Sequence, residues 1–468
     1  MSISIPENPT ISLIPKSVKM LKNHSLDLGQ LITKDILLKS NINQFLFLIG
    51  IVSYEGKNFN SNLSFIKFYI KNKIKGDIGL LLKLEIILHT IFLKKYETEE
   101  AYNKFYNYMS TLHKQKRNNK SYTSKKIKSL LFYVPSPVLL AHTNPLFYML
   151  ENRKDLSIEI VIASRGRNLE FEQMCTKTNV KFKNIEKITY YETLKNLANF
   201  SHDFDVVIWQ STPVHLAYFR TLNPNVFLWS HKFHPDIPGL LGYIGSFNDH
   251  KNEHYINNKF WKNIDVGFEI KNKGKPYPKW ENRISKFGSF CREELIDDEF
   301  FWNTIKIILR ENKGTKFYYC GREEIHEKWC DVFDIKKNKI IFLGWLDEPH
   351  LKLREMSFLI DGFSLGHGYM ALEAMAASIP IIFPKGRSSY GTLENYLLKT
   401  INSFEIKDEE TYKNKYLLNF ENENELIELT KKLFTDKQFN EFYGLHYKTV
   451  ISKIRNDNFD KFIKIISQ

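Results

Sequence analysis

The stretch DGFSLGHGYMALEAMAASIPIIFP, Asp361–Pro384, holds the residues with the most evident chemistry. Gly366-His367-Gly368 falls between a strand-like run, Phe358–Phe363, and a small-residue helix that opens near Tyr369. Glycine lets a backbone approach a ligand closely. A helix start presents unbonded N–H groups and the positive end of a dipole. Such a loop suits a diphosphate, with Gly366, His367, Gly368, Tyr369 and Met370 around it. Glu373 stands about one turn further on, where a carboxylate can accept from a ribose diol. The plainer reading of the same residues is a tight turn with a surface histidine and an acid favoured by the helix dipole.

Four further groupings follow strand-like runs. In FGSFCREELIDD, Phe287–Asp298, Arg292 comes just after the run and could pair with phosphate charge, or with Glu293 or Asp297 on the surface. In FLGWLDEPHLKLRE, Phe342–Glu355, Trp345 and His350 are flat groups able to border a base; otherwise they are a core tryptophan and a helix start. In SPVLLAHTNPLFYMLEN, Ser136–Asn152, Asn144-Pro145 reads as a helix cap and first turn. His142 just before it would then face a cleft, as a general base or as a satisfied part of the cap. An unperturbed histidine titrates near pH ~6.5, which suits that base role. In LWSHKFHPDIPGLLGY, Leu228–Tyr243, His231 and His234 follow another strand-like run, with no evident acidic partner to complete a metal site. They are secondary candidates for the base, or parts of a rigid proline-bounded loop.

Positioning these groups needs ordered elements. Residues up to about 120 carry apolar side chains at three- and four-residue spacing, the helical period, and Thr98 stands where a cap would. Lys114–Lys126 is charged and without periodicity, a linker. Apolar runs at Ile127–Pro137, Ser157–Ser164, Phe204–Ser211 and Asn225–His231 then alternate with helical stretches. This predicts a parallel sheet covered on both faces. KNKGKPYPKWENRIS, Lys271–Ser285, interrupts the pattern, and the same alternation resumes after it. The expected fold is α/β, with a helical unit over 1–124 and a Rossmann-like unit over 125–270. A second Rossmann-like unit covers 285–468 and takes the terminal helices. Such sheets bind ligands at the carboxyl ends of their strands, so the site is expected in the cleft between the two units.

Composition narrows the function classes. The 468 residues carry a formal charge of +14, which suits phosphate-bearing partners or a peripheral contact with an anionic membrane face. Lysine richness alone also gives such a charge. The sequence has no nucleic-acid-binding signature, so no nucleic-acid partner is expected. The four cysteines, Cys175, Cys291, Cys320 and Cys330, form no CxxC pair, which argues against a disulfide framework or a zinc centre. The longest apolar stretch, Ile78–Leu93, contains Lys83, Glu85 and His89 and reads as a buried helix. The N-terminus lacks a signal pattern, and a cytoplasmic protein is expected.

These residues resemble the GT-B glycosyltransferases, which hold a nucleotide-sugar between two Rossmann-like domains. The second unit looks most like the O-linked N-acetylglucosamine transferase and the bacterial cytosolic N-glycosyltransferases. Phe287-Gly288-Ser289-Phe290, Ile296-Asp297, the run from Ile340 to His350, Asp361, Gly366-His367-Gly368, Glu373 and Pro380 follow that family's order. His142-Thr143-Asn144-Pro145 is similar to the histidine motif of UDP-glycosyltransferases, with Ala141 in place of a glycine. The resemblance implies a sugar transferase with a UDP-linked donor and a protein, lipid-linked or glycan acceptor. Ser289, Arg292, His350 and the 366–370 loop would lie around the nucleotide, Glu373 at the ribose and His142 at the acceptor. Neither a metal nor a cofactor is called for. The family's phosphate-binding lysine is missing, with Leu295 near its place, and its loop threonines give way to Tyr369 and Met370. A retaining enzyme's second acid would fall at Leu365, so inversion is favoured. Two alternatives share the fold: a polyol-phosphate transferase using a CDP-activated donor, and an inactive module that binds glycans or proteins.

Overall fold

The computed structural model describes residues 14, 17–18, 32–54, 58–96, 98–113, 126–139, 143–151, 153, 156–210, 212–230, 235, 237–245, 253–256, 259–263, 270–291, 293–362, 368–385, 393, 397–398, 401, 404, 406, 408–453 and 458–467. The first unit is helical, as its periodicity requires. Helices α1 (Lys34–Lys39), α2 (Ile42–Ser53), α3 (Phe59–Tyr69), α4 (Ile78–Leu88) and α5 (Glu99–Leu112) build it. Local chemistry sets their starts: Thr33, Asn41, Asp77 and Thr98 each accept a hydrogen bond from a first-turn N–H. α3 and α4 each run on into a wider π turn, Ile70–Ile74 and His89–Leu93. Among the described residues no helix is long and apolar enough to cross a membrane.

The next unit alternates as expected: β1 (Ser129–Val134), α6 (Asn144–Glu151), β2 (Glu159–Ser164), α7 (Leu169–Lys177), β3 (Lys181–Asn184), α8 (Tyr190–Ser201), β4 (Val206–Gln210), α9 (Leu216–Phe219), β5 (Val226–Ser230) and β6 (Gly242–Gly245). β7 (Glu253–Ile256) and β8 (Lys259–Asn263) complete it. The described strands order as β3-β2-β1-β4-β5-β6-β8-β7. The sheet is therefore not wholly parallel, because β7 pairs antiparallel with β8 at the edge. Short, polar β3 (KFKN) and the β7–β8 ribbon lack the continuous apolar run that marks a buried parallel strand, so the pattern did not reveal them.

The last unit is built from β9 (Lys286–Ser289), α10 (Glu299–Glu311), β10 (Lys316–Tyr319), α11 (His326–Phe333), β11 (Ile340–Phe342), α12 (Pro349–Lys352), β12 (Phe358–Ile360), α13 (Tyr369–Ala376), β13 (Ile381–Pro384), α14 (Glu409–Tyr416), β14 (Leu418–Phe420), α15 (Glu423–Thr435), α16 (Lys437–Lys453) and α17 (Asn458–Ile466). Its parallel strands order as β11-β10-β9-β12-β13-β14. This is the doubly wound arrangement, with the direction of winding reversing between β9 and β12. The first sheet reverses likewise between β1 and β4. Gly288 in β9 is needed for close packing: a Cβ there would lie 2.7 Å from the Tyr318 carbonyl oxygen.

Two packing results change the expected partition. The helical unit does not have a separate core: Leu81, Leu84, Phe105 and Tyr106 share one cluster with Leu131, Tyr133, Trp209 and Phe219 on a face of the first sheet. The final helix does not stay with the second Rossmann-like unit. Phe459, Phe462 and Ile466 of α17 are buried on the other face of the first sheet, among Phe132, Phe147 and Trp229. The Phe462 ring lies 5.6 Å from both Phe132 and Trp229. At about 2 kcal/mol for each large apolar side chain, this burial is ample to hold the crossover.

The seam between α4 and the first sheet is polar and buried. Glu85, fully buried, accepts from the His215 N–H at 2.9 Å, and the His215 ring meets the Leu82 carbonyl at 2.8 Å. His215 holds φ at 66°, a left-handed conformation unusual for a non-glycine residue. His89 meets the Tyr106 hydroxyl at 2.8 Å. Burial pushes the Glu85 carboxyl up to about 8, against the His215 N–H bond, and pushes His89, His113 and His215 down to about 4.

The signs give a pH profile. Between about 4 and 6.5 the unfolded chain binds more protons at these histidines, so their share of stability rises with pH. Glu85 acts oppositely: its carboxyl is protonated when folded and ionised when unfolded, so stability falls from 4.5 up to about 8. Thermal melts should peak near pH ~6.5 and decline toward pH ~8.5. Glu85→Gln should remove the alkaline decline and raise stability by on the order of 2 kcal/mol at pH ~8. An unchanged alkaline arm in this variant would contradict the assignment.

Candidate functional site

The point where winding reverses in an open α/β sheet leaves a crevice at the strands' carboxyl ends. In the second Rossmann-like unit that point lies between β9 and β12, and polar groups lie at it. Ser289 ends β9, fully buried, with its Oγ 3.2 Å from the Cys291 Sγ. Asp361 follows β12, nearly fully buried, and its Oδ1 accepts from the Gly362 N–H at 3.0 Å. Burial pushes the Cys291 thiol up to about 12; the Ser289 contact opposes this, while Asp361 and Cys320 add to it. Burial, with Glu293 close by, takes Cys320 to about 11. Both shifts favour the protonated thiol at neutral pH.

Helix α13 packs beside this group, since its Ala371 and Leu372 share a buried cluster with Phe290, which follows Ser289, and with Leu359 of β12. Gly368 precedes it at φ 53° and ψ −119°, with no side-chain cap on the helix start. An added Cβ at Gly368 would meet nothing within 4 Å, so the conformation, not space, asks for glycine. Met370 is half-buried and, like Leu343, packs against the cluster containing Phe290 and Leu372. The backbone of Tyr369 opens the helix. Gly366 and His367 lie outside the described residues, as do Arg292, His142, His231 and His234.

Beyond β11, His350 is buried and Trp345 is 65% exposed, so the core reading of that tryptophan is corrected. The Arg322 guanidinium sits 5.3 Å from the Trp345 ring centroid. A flat cation-backed surface therefore projects at the carboxyl side of the sheet. Burial holds the His350 ring below the usual histidine range, Glu373 opposes this, and Lys271 and Lys275 reinforce it.

Glu373 differs from expectation. It is fully buried and is bound by the chain that joins the two Rossmann-like units. Its Oε1 accepts from the Lys271 N–H at 2.7 Å and its Oε2 from the Asn272 N–H at 2.9 Å. The resemblance implies a ribose ligand at this carboxylate; in the structure its two oxygens are held by backbone amides. The reason is that its turn of α13 faces inward, with Leu372, Ala374 and Met375 all buried. Sequence reading missed Asn272, which is fully buried and donates from Nδ2 to the His350 carbonyl at 2.9 Å. Its only signal was a polar residue in a segment taken for a linker.

In the first Rossmann-like unit, β2, β4 and β5 end in the buried polar residues Ser164, Gln210 and Ser230. Each closes an apolar run, a signal present in VIAS, VIWQ and FLWS and not used. The winding reversal there falls between β1 and β4, and the loop after β1 leads to Thr143, whose Oγ1 donates to the Val138 carbonyl at 2.8 Å. His142 belongs to this loop by sequence.

No protein-family model matches the chain, and no curated protein matches it in sequence. Solved structures do resemble it. A point mutant of the O-GlcNAc transferase of Thermobaculum terrenum superposes with a TM-score of 0.61 at 12% identity, over 98% of this chain and 87% of that one. A glycosyltransferase from Rickettsia africae gives a TM-score of 0.52 at 14% identity, over 73% of this chain and 98% of that one. At such identities the likeness establishes architecture: the chain has the GT-B fold, two Rossmann-like domains behind a helical N-terminal region.

Proposed function

We propose that this protein is a glycosyltransferase that takes its sugar from a UDP-linked donor bound to the second Rossmann-like domain. The observation that carries the reading is the convergence at the β9–β12 reversal of Ser289, Asp361 and the glycine-led start of α13. Such a place offers N–H donors and a positive dipole end to a diphosphate. Both structural neighbours named above are glycosyltransferases by name, which supports the reaction class.

The diphosphate lies at the 366–370 loop, with Arg292 as its cation, and the base lies toward His350 and Trp345. His142 takes a proton from the acceptor, with His231 and His234 as secondary candidates. The acceptor oxygen or nitrogen then attacks the anomeric carbon, the bond to the diphosphate breaks, and configuration inverts. Arg292 and the α13 N–H groups meet the charge that develops on the leaving diphosphate, which is where preorganised donors lower a barrier. This reading asks for no metal and no cofactor. The acceptor is a protein, a lipid-linked molecule or a glycan, and no nucleic acid takes part. The protein works in the cytoplasm, and its net charge of +14 favours a peripheral contact with an anionic membrane face.

A thermal-shift screen with UDP, GDP and CDP tests the donor site. UDP should raise the melting temperature most, because a ligand bound only to the folded state stabilises it. A preference for CDP would transfer the reading to a polyol-phosphate transferase. No shift with any of the three would remove the nucleotide site.

A further inference from the structure

The chain between the two Rossmann-like domains, which reads as a linker, is fastened along its length to the second one. Lys271 and Asn272 give their backbone N–H groups to Glu373. The Arg354 guanidinium donates to the Pro276 carbonyl at 2.8 Å and, at 3.4 Å, to the Asn272 Oδ1. Lys448 donates to the Lys275 carbonyl at 2.9 Å. Arg283, fully buried, donates to the Tyr277 hydroxyl and, at 3.2 Å, to the Asn440 Oδ1. Composition misled here: glycine and proline mark the absence of regular structure, not freedom to move.

Asn272 has a special place in this clamp. Its Nδ2 donates to the His350 carbonyl at 2.9 Å and, more weakly at 3.4 Å, to the Glu373 carbonyl. One buried amide thus touches α12, which carries His350, and α13, whose start receives the diphosphate in the proposed function. In the proposed function these helices serve the base side and the phosphate side of the nucleotide. A ligand spanning them gains if their spacing is fixed beforehand.

We infer that Asn272 is a positioning residue of the donor site, and that donor binding and the domain junction at 270–276 are energetically coupled through it and Glu373. This rests on the reading of the second domain as a nucleotide site. Coupling of this kind is reciprocal: if the junction steadies the site, a nucleotide in the site must steady the junction.

The test is amide hydrogen exchange of the full-length wild-type protein with and without UDP, beside calorimetric titration of UDP into wild type and Asn272→Ala. UDP should slow exchange of the Lys271 and Asn272 amides by about tenfold, and the substitution should raise the UDP dissociation constant by about tenfold. A merely structural role would not make that exchange depend on UDP. If wild type binds UDP while those amides exchange at an unchanged rate, the coupling is overturned. A folded Asn272→Ala protein with UDP affinity within about twofold of wild type would overturn the positioning role. The exchange measurement needs no variant, so a misfolded Asn272→Ala does not blunt the test. Failure of wild type to bind any nucleotide overturns the proposed function itself, and this inference with it.

Discussion

His142→Ala should lower sugar transfer by about a thousandfold while leaving UDP affinity within about twofold, because a general base acts on the acceptor and not on the donor. Steady-state turnover and calorimetric UDP binding, measured on one preparation, separate the two effects. A variant with full activity would take the base role from His142 and direct attention to His231 and His234. A variant that loses UDP binding as well would place His142 with the donor. The reasoning is positional: by sequence the residue belongs to the loop that follows β1, and β1 borders the winding reversal of the first sheet, where such sheets receive ligands.

Glu373→Ala should destabilise the fold and weaken UDP binding together. It leaves the Lys271 and Asn272 N–H groups without their acceptor, the Asn272 one buried, at a cost of about 3 kcal/mol. Among the described residues, it also leaves α13 tied to the junction only by the weaker bond from Asn272 to the residue 373 carbonyl, and the UDP dissociation constant should rise more than about tenfold. The clamp and the ribose-ligand roles can be told apart with 2′-deoxy-UDP. A carboxylate that touches the ribose would give wild type a preference for UDP that vanishes in the variant. The clamp predicts the same preference in both proteins, with both affinities reduced. Circular dichroism melts supply the stability half; an unchanged melting temperature would contradict the burial argument.

Much of the architecture was legible because its elements are strongly patterned. β1, β2, β4 and β5 are buried along their apolar runs, and such runs between helical stretches specify a parallel sheet. The start of α5 could be read from Thr98, since capping is local chemistry. Long-range facts were less accessible. The amphipathic pattern of α17 says that one face is buried, not that Phe462 is buried against Trp229 in the other domain. The inward turn of Glu373 depends on a partner 101 residues away at Asn272, and helical period alone cannot name it. Trp345 shows the reverse case: a large aromatic read as core stands exposed under Arg322, because residue type gives only an average tendency to burial. Strand ends and glycines therefore mark the candidate site in outline, and its supporting bonds emerge only from the fold.

The most direct measurement of the central claim is nucleotide release. The purified full-length protein would be incubated with UDP-hexoses and UDP-N-acetylhexosamines, with and without candidate acceptors, and free UDP followed by chromatography. The account predicts UDP formation from at least one donor, faster with an acceptor present and lost in His142→Ala. No UDP release from any donor, together with no binding of UDP, GDP or CDP, would contradict it and leave a GT-B fold put to another use.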